Sequence, residues 1–221
     1  LMQKHGVPLL IHAETNDKNI DIFDRERVFI DRHLAQIHNE FPDLRIVFEH
    51  ISSKEAVDFV INANSKVGAT ITPQHMLLDR NDLLSNGIKP HHYCLPIVKR
   101  AKDRLAIIQA AVSGSQKFFL GTDSAPHFRY QKESSCGCAG IYSAAYAMEL
   151  YVLIFETENA LDKLENFSSK FGADFYKLPY NKSKIKLIKK ELEIPTKIDI
   201  GNEEIIPLFA GETLSWQLSE I

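Results

Sequence analysis

Three apolar stretches end on side chains that can hold a metal or move a proton. "VPLLIH" (7–12) ends in His12, with Ala13-Glu14 next; "RIVFEH" (45–50) ends in Glu49-His50; "KFFLGTD" (117–123) ends in Asp123, and His127 follows four residues later. A buried strand ordinarily gives way to turn residues that solvate the chain. Imidazole nitrogens and carboxylate oxygens are the donor set of zinc and related divalent ions. A carboxylate in such a site can also work as an acid and a base. One strand-end histidine is more often a hydrogen-bonded core residue than a ligand, so the repetition carries the signal. His75, in "TPQHMLL", and the pair His91-His92 also follow strand ends, but their loops read equally well as ordinary polar connections. His5, His33 and His38 fall on helical segments and read as surface residues.

Four elements have to position these side chains. The runs 7–12, 45–50, 67–72 and 117–123 are continuously apolar rather than alternating, as in parallel strands covered on both faces. Helical patterns separate them. Residues 24–40 place Val28, Ile30, Leu34 and Ile37 near one face. Residues 53–63 follow Ser52, an expected N-cap with Glu55 three residues on. Residues 98–113 run to a stop at Gly114, and two more helices are expected near 142–156 and 167–177. Alternating strands and helices give a parallel sheet, either open and doubly wound or closed as a barrel. In both, the site lies at the C-terminal ends of the strands, so His12, His50 and Asp123 share one rim. No Gly-rich nucleotide or phosphate loop follows any strand. The basic stretch "KSKIKLIKK" (182–190) reads as the solvated face of a helix. Residues 197–221, broken at Gly201 and Gly211, read as a small β extension. The opening "LMQKHG" has the form of a last helical turn capped by Gly6, so a preceding segment is expected.

The chain has 221 residues, enough for one large domain or two small ones. At 44% hydrophobic and 25% charged it has the balance of a soluble globular protein with a sizeable core. A net charge of −3 offers no concentrated basic surface for nucleic acid. No run reaches the length of a membrane span, and no signal peptide is visible. Cys94, Cys136 and Cys138 are an odd set, which argues against a disulfide framework. Cys136-Gly-Cys138 is too tightly spaced for an ordinary structural zinc pair. Reduced thiols in the cytoplasm are the simplest reading.

Six segments in order, "LLIHAE", "VFEHISS", "ATITPQHMLL", "HHYCLPIVKR", "LGTDSAPHFRYQKESSCGCAG" and "IPLFAGETLSWQ", resemble the dihydroorotase family, in its shorter bacterial type within the amidohydrolase superfamily. The resemblance runs across nearly the whole chain, and the 120–140 stretch is its most specific part. It implies an α/β fold in which residues 1–178 are the second half of a (β/α)8 TIM barrel, about four strands, and residues 179–221 are a small C-terminal β extension. It implies a centre of two zinc ions and the interconversion of N-carbamoyl-L-aspartate and L-dihydroorotate, a step of pyrimidine biosynthesis, by a cytoplasmic homodimer acting on a small molecule. By motif, His12 and His50 match ligands of one zinc, and Asp123 matches a ligand of the other and the catalytic acid/base. His127 matches a contact to the substrate carboxylate, and Leu95 and Ala139 match positions whose backbone groups bind substrate. The family's His-x-His pair, bridging carboxylated lysine, and substrate-binding arginine and asparagine have no counterpart in these residues and are expected upstream. Two alternatives stand beside this: a metal-free scaffold subunit of the same fold, and another cyclic amide hydrolase of hydantoinase type.

Overall fold

Helix α1 (Met2–His5) ends at Gly6, whose N–H bonds back to the helix in a left-handed cap, and strand β1 (Leu9–Ile11) follows directly. The computed structural model describes residues 1–219; Glu220 and Ile221, the last two of the expected extension, lie outside them. The helical pattern of 24–40 forms as α2 (Arg25–Phe29) and α3 (Ala35–Glu40), joined by a π turn at Ile30–Leu34 that keeps Ile30 and Leu34 buried. Strand β2 (Ile46–Phe48), helix α4 (Lys54–Asn62) and strand β3 (Val67–Ile71) come next. The N-cap of α4 is Ser53, whose Oγ accepts from the Ala56 N–H, rather than Ser52. Ser52 turns inward instead, donating its hydroxyl to Glu26.

Two short helices, α5 (Pro73–Leu77) and α6 (Arg80–Leu84), lead through an irregular stretch to α7 (Ala101–Val112) and strand β4 (Phe118–Leu120). Helix α7 starts three residues later than expected. Val98 and Lys99 are buried before it begins, and Asp103 caps it by accepting from the Arg100 N–H. After α8 (Arg129–Lys132), the helices α9 (Ala147–Thr157), α10 (Leu161–Glu165) and α11 (Phe171–Tyr176) complete the α-helical part, α10 and α11 joined by a second π turn.

β1–β4 form one parallel sheet in chain order, with Ile11, Phe48, Ala69 and Phe118 in one register row. One face of the sheet presents Ile46, Phe48, Val67, Ala69, Ile71 and Phe118 to the helices, and this is the main core. On the other face Val47 and Phe119 pack beneath Phe171, Phe175 and Tyr176 of α11. Arg45, just before β2, donates to the Phe175 carbonyl, which places α11 under the N-terminal end of the sheet. The opposite, C-terminal end is left for the site.

The basic stretch 182–190 is not helical. It enters β5 (Lys186–Glu193), paired antiparallel with β8 (Thr213–Ser219), while β6 (Ile198–Ile200) and β7 (Glu203–Ile205) form a separate hairpin. Leu187 and Trp216 of the β5–β8 pair rest on the main core, Trp216 donating its indole N–H to Glu156 of α9. Tertiary pairing with β8 overrides the local lysine content. Among the described residues, no helix is long and apolar enough to cross a membrane.

Candidate functional site

The strand ladders stop one residue short of His12, two short of His50 and three short of Asp123, so these side chains stand just beyond the last paired residues. They converge. Leu10, Ile11, His12, Glu49, His50, Thr70, Gly121 and Asp123 line one cavity of about 270 Å³ at the C-terminal end of the sheet. A larger groove, about 570 Å³, lies on the outer helices between α2–α3 and α4, away from these strand ends.

His12 Nδ1 and His50 Nε2 face each other at 3.1 Å. Two nitrogens bound at about 2.0–2.1 Å to one tetrahedral zinc stand about 3.3 Å apart by geometry, so this pair already has the spacing of two ligands of a single ion. The other nitrogen of His12, Nε2, meets Glu14 Oε2 at 3.2 Å. A carboxylate accepts, so Nε2 carries the proton and Nδ1 offers its lone pair to the cavity; this is the support that metal-binding histidines usually receive. Glu14 is almost wholly shielded from solvent, and its Oε1 has no partner among the described residues. Among the described residues no group of three or more His, Cys, Asp or Glu side chains forms a ready metal cage. The cavity thus brings together two convergent nitrogens and, across it, a carboxylate.

Backbone strain marks the same places. His50 and Asp123 both have positive φ, 40° and 42°, conformations uncommon for residues with a side chain and concentrated at functional sites. Thr70 stabilises the first: its hydroxyl accepts from the His50 N–H at 2.6 Å and donates to Glu49 at 2.6 Å. Gly121 allows the second, because a Cβ there would lie 2.6 Å from Thr70 Cβ. Behind His50, buried Glu26 accepts from the Ser52 N–H and from the Ser52 and Ser53 hydroxyls, and the buried Lys99 ammonium donates to Ser52 Oγ. That network pins the loop carrying His50 to α2 and to the segment before α7.

Burial dominates the electrostatics. His50 is pushed down to about 4, by desolvation first and then by His12, so it is held neutral and able to ligate. Asp123 and Glu49 both rise above the ordinary carboxylate range through desolvation; for Asp123 the attraction of His12 opposes the rise, and for Glu49 the Thr70 hydrogen bond does. For Asp123 the desolvation outweighs the attraction of His12.

Leu95, His127 and Ala139 do not line this cavity; His127 and Ala139 meet outside it as a second group. His127 Nε2 lies 3.1 Å from the Ala139 carbonyl, so Nε2 donates. The segment from Asp123 to His127 connects the two groups: Ser124 Oγ accepts from the Ser143 and Ala144 N–H groups, and the Ala125 N–H donates to the Ile141 carbonyl. The secondary histidines do not join either group. His75 is buried between Thr72 Oγ1 at 2.7 Å and the Pro96 carbonyl at 2.8 Å; His91 pairs with Glu133, and His92 bonds the Asp82 carbonyl. The supporting roles of Glu14, Thr70, Glu26 and Lys99 were not foreseen. Only Glu14 left a local trace, two residues past a strand-end histidine.

No family model matches this chain. It is 59% identical over 217 residues to a dihydroorotase of Coxiella burnetii and 57% identical over 217 residues to one of Alcanivorax borkumensis, covering 98% of this chain in both cases. The chain spans 62% and 63% of the length of those relatives. Among solved structures it is similar to a dihydroorotase from Saccharomyces cerevisiae in complex with 5-fluoroorotic acid, with TM-score 0.88, 37% identity, and coverage of 99% of this chain and 64% of that one. A dihydroorotase from Campylobacter jejuni matches with TM-score 0.89 and 32% identity, over 99% of this chain and 63% of that one. A D-hydantoinase matches with TM-score 0.77 at 15% identity, a likeness of fold alone.

Proposed function

We propose, from the premise that this chain belongs to the dihydroorotase family, that it supplies the C-terminal portion of a zinc-dependent cyclic amide hydrolase interconverting N-carbamoyl-L-aspartate and L-dihydroorotate. The observation that carries the reading is the meeting of His12 Nδ1 and His50 Nε2 at 3.1 Å in a cavity that Asp123 also lines. Residues 1–178 contribute half of the barrel, residues 179–221 the extension that packs on α9, and the remaining ligands come from the rest of a longer protein. The enzyme acts as a cytoplasmic homodimer.

His12 and His50 would hold one zinc and Asp123 the other. Bound there, the pair supplies Lewis acidity, which makes water a nucleophile at neutral pH and polarises the scissile carbonyl. Asp123 takes a proton from the attacking water as the C–O bond forms. It returns that proton to the ring nitrogen as the C–N bond breaks. In the cyclising direction Asp123 takes the proton from the carbamoyl nitrogen as it attacks, and gives it to the departing oxygen. His127 and the backbone of Leu95 and Ala139 would hold the substrate. Because His127 Nε2 donates to the Ala139 carbonyl, only the imidazolium can also donate from Nδ1 to a carboxylate, which ties recognition of an anionic substrate to the protonated ring.

A scaffold relieved of metal chemistry has no use for strained backbone at two of the three converging residues, or for a carboxylate that fixes the His12 tautomer. The test is Asp123→Asn and His12→Ala in the complete enzyme, with kinetics in both directions and elemental analysis. Asp123→Asn is expected to lose at least about 10² in turnover while folding normally. His12→Ala is expected to lose roughly half the zinc. Near-normal turnover of Asp123→Asn with its metals bound would reduce Asp123 to a ligand. Full zinc retention in His12→Ala would remove the metal assignment.

A further inference from the structure

Lys132 is only 2% exposed, yet among the described residues no carboxylate forms an ion pair with it. Its ammonium instead donates to three backbone carbonyls: Cys138 at 2.6 Å, Gly140 at 2.8 Å and Tyr93 at 2.9 Å. An ammonium has three protons, so its donor capacity is consumed. Two of these carbonyls flank Ala139, and the third lies two residues before Leu95. The Gly140 N–H also donates to the Tyr93 carbonyl at 2.9 Å, closing the junction between the two segments. Gly140 itself has φ 150°, and a Cβ there would lie 2.5 Å from the Ala125 carbonyl and 3.0 Å from the His127 ring, so the loop passes against the His127 segment with no slack.

We infer that Lys132 is a positioning residue, which clamps the segment carrying Leu95 to the segment carrying Ala139 so that their backbone groups present one substrate-binding surface beside His127. This rests on the reading of Leu95 and Ala139 as substrate contacts. Lys132 does not line the metal-side cavity, and with every proton committed to backbone it has none to give a substrate. Its neighbours fit the role. Burial draws its ammonium down to about 8 while Cys94 and Cys138 act to raise it, and the Tyr93 ring lies 5.7 Å away. A charge kept buried and held only by carbonyl dipoles is costly unless its geometry is used.

The test uses Lys132→Met, which keeps the length and removes every donor, and Lys132→Gln, which keeps an N–H2 group and guards against a misfolded Met variant. Amide hydrogen exchange of residues 93–96 and 134–141 is measured in the complete enzyme, with kcat, KM for dihydroorotate, and zinc content. Lys132→Met is expected to speed exchange in both segments and to raise KM about 10–100-fold. Its zinc content should be unchanged and its kcat far less affected, with Lys132→Gln in between. Unchanged exchange in both segments would overturn the clamp. Exchange raised throughout the protein with loss of zinc would show a general structural role and overturn positioning. Loosened segments with an unchanged KM would overturn the assignment of Leu95 and Ala139 as substrate contacts, leaving the metal-side reading of His12, His50 and Asp123 standing.

Discussion

A histidine that must offer a lone pair to a cavity needs its proton fixed on the other ring nitrogen, and Glu14 does this for His12. The carboxylate also makes the ring a better donor to a cation. Glu14→Gln keeps the shape and a hydrogen-bonding oxygen but loses the charge. It is expected to weaken zinc binding about 10–100-fold, measured by competition against a chelator, with the folded structure intact by circular dichroism. An unchanged zinc affinity would show the 3.2 Å contact to be incidental. The difference between His12 and Glu14 also shows what was legible. His12, His50 and Asp123 could be found because each ends an apolar run, a signal written in adjacent residues. The groups that aim them could not. Thr70 acts on a backbone N–H 20 residues earlier, Glu26 on hydroxyls 26 and 27 residues later, and Lys99 on Ser52 across 47 residues. Such partners are made by the fold and leave no local pattern.

The four parallel strands were legible because a strand covered on both faces is apolar throughout, whatever its partners. Element boundaries and the extension were less so. An inserted π turn still buries Ile30 and Leu34, so the break between α2 and α3 is hidden from a period-3.6 reading. β5 was misread as helix because its partner β8 begins 20 residues after β5 ends. Helix α5 makes a prediction of its own. Its His75 is fully buried, accepting the Thr72 cap on one side and facing the Pro96 carbonyl on the other, and desolvation pulls it down to about 3. An unfolded histidine titrates near 6.5. The folded state therefore resists protonation that the unfolded state accepts. The stability from neutral His75 is complete above about pH 6.5 and is lost progressively as pH falls from there toward 3. Between pH 7 and pH 5 that loss is about 2 kcal/mol. Other groups titrate in the same range, so the comparison must be differential. Denaturation of the complete enzyme and of His75→Gln at both pH values should show a shallower pH dependence in the variant. Equal slopes would mean that His75 is not held neutral.

At the level of the whole molecule, the sheet has two open ends. Among the described residues β1 pairs only with β2, and β4 only with β3. In a closed (β/α)8 barrel neither edge exists, and the face that carries Leu10 is packed by layers of side chains from the other strands. Here Leu10 is 51% exposed, although its neighbours in the register row, Val47 and Gly68, are buried. The core on the helix side, by contrast, is already complete, with Ile46, Phe48, Ala69 and Ile71 at 0% exposure. The helix-side core is therefore closed within these residues, while among the described residues the sheet edges are unpaired and part of the inner face is exposed. Unpaired parallel edges beside an apolar face template association. Residues 1–221 expressed alone are expected to be helical by far-ultraviolet circular dichroism, self-associating by light scattering at micromolar concentration, and inactive on dihydroorotate. Co-expression with a segment supplying the missing strands should restore both a discrete size and zinc-dependent activity. A monodisperse, monomeric and active 1–221 would mean that four strands suffice to build the site, and that the partial donor set of His12, His50 and Asp123 is completed within this chain.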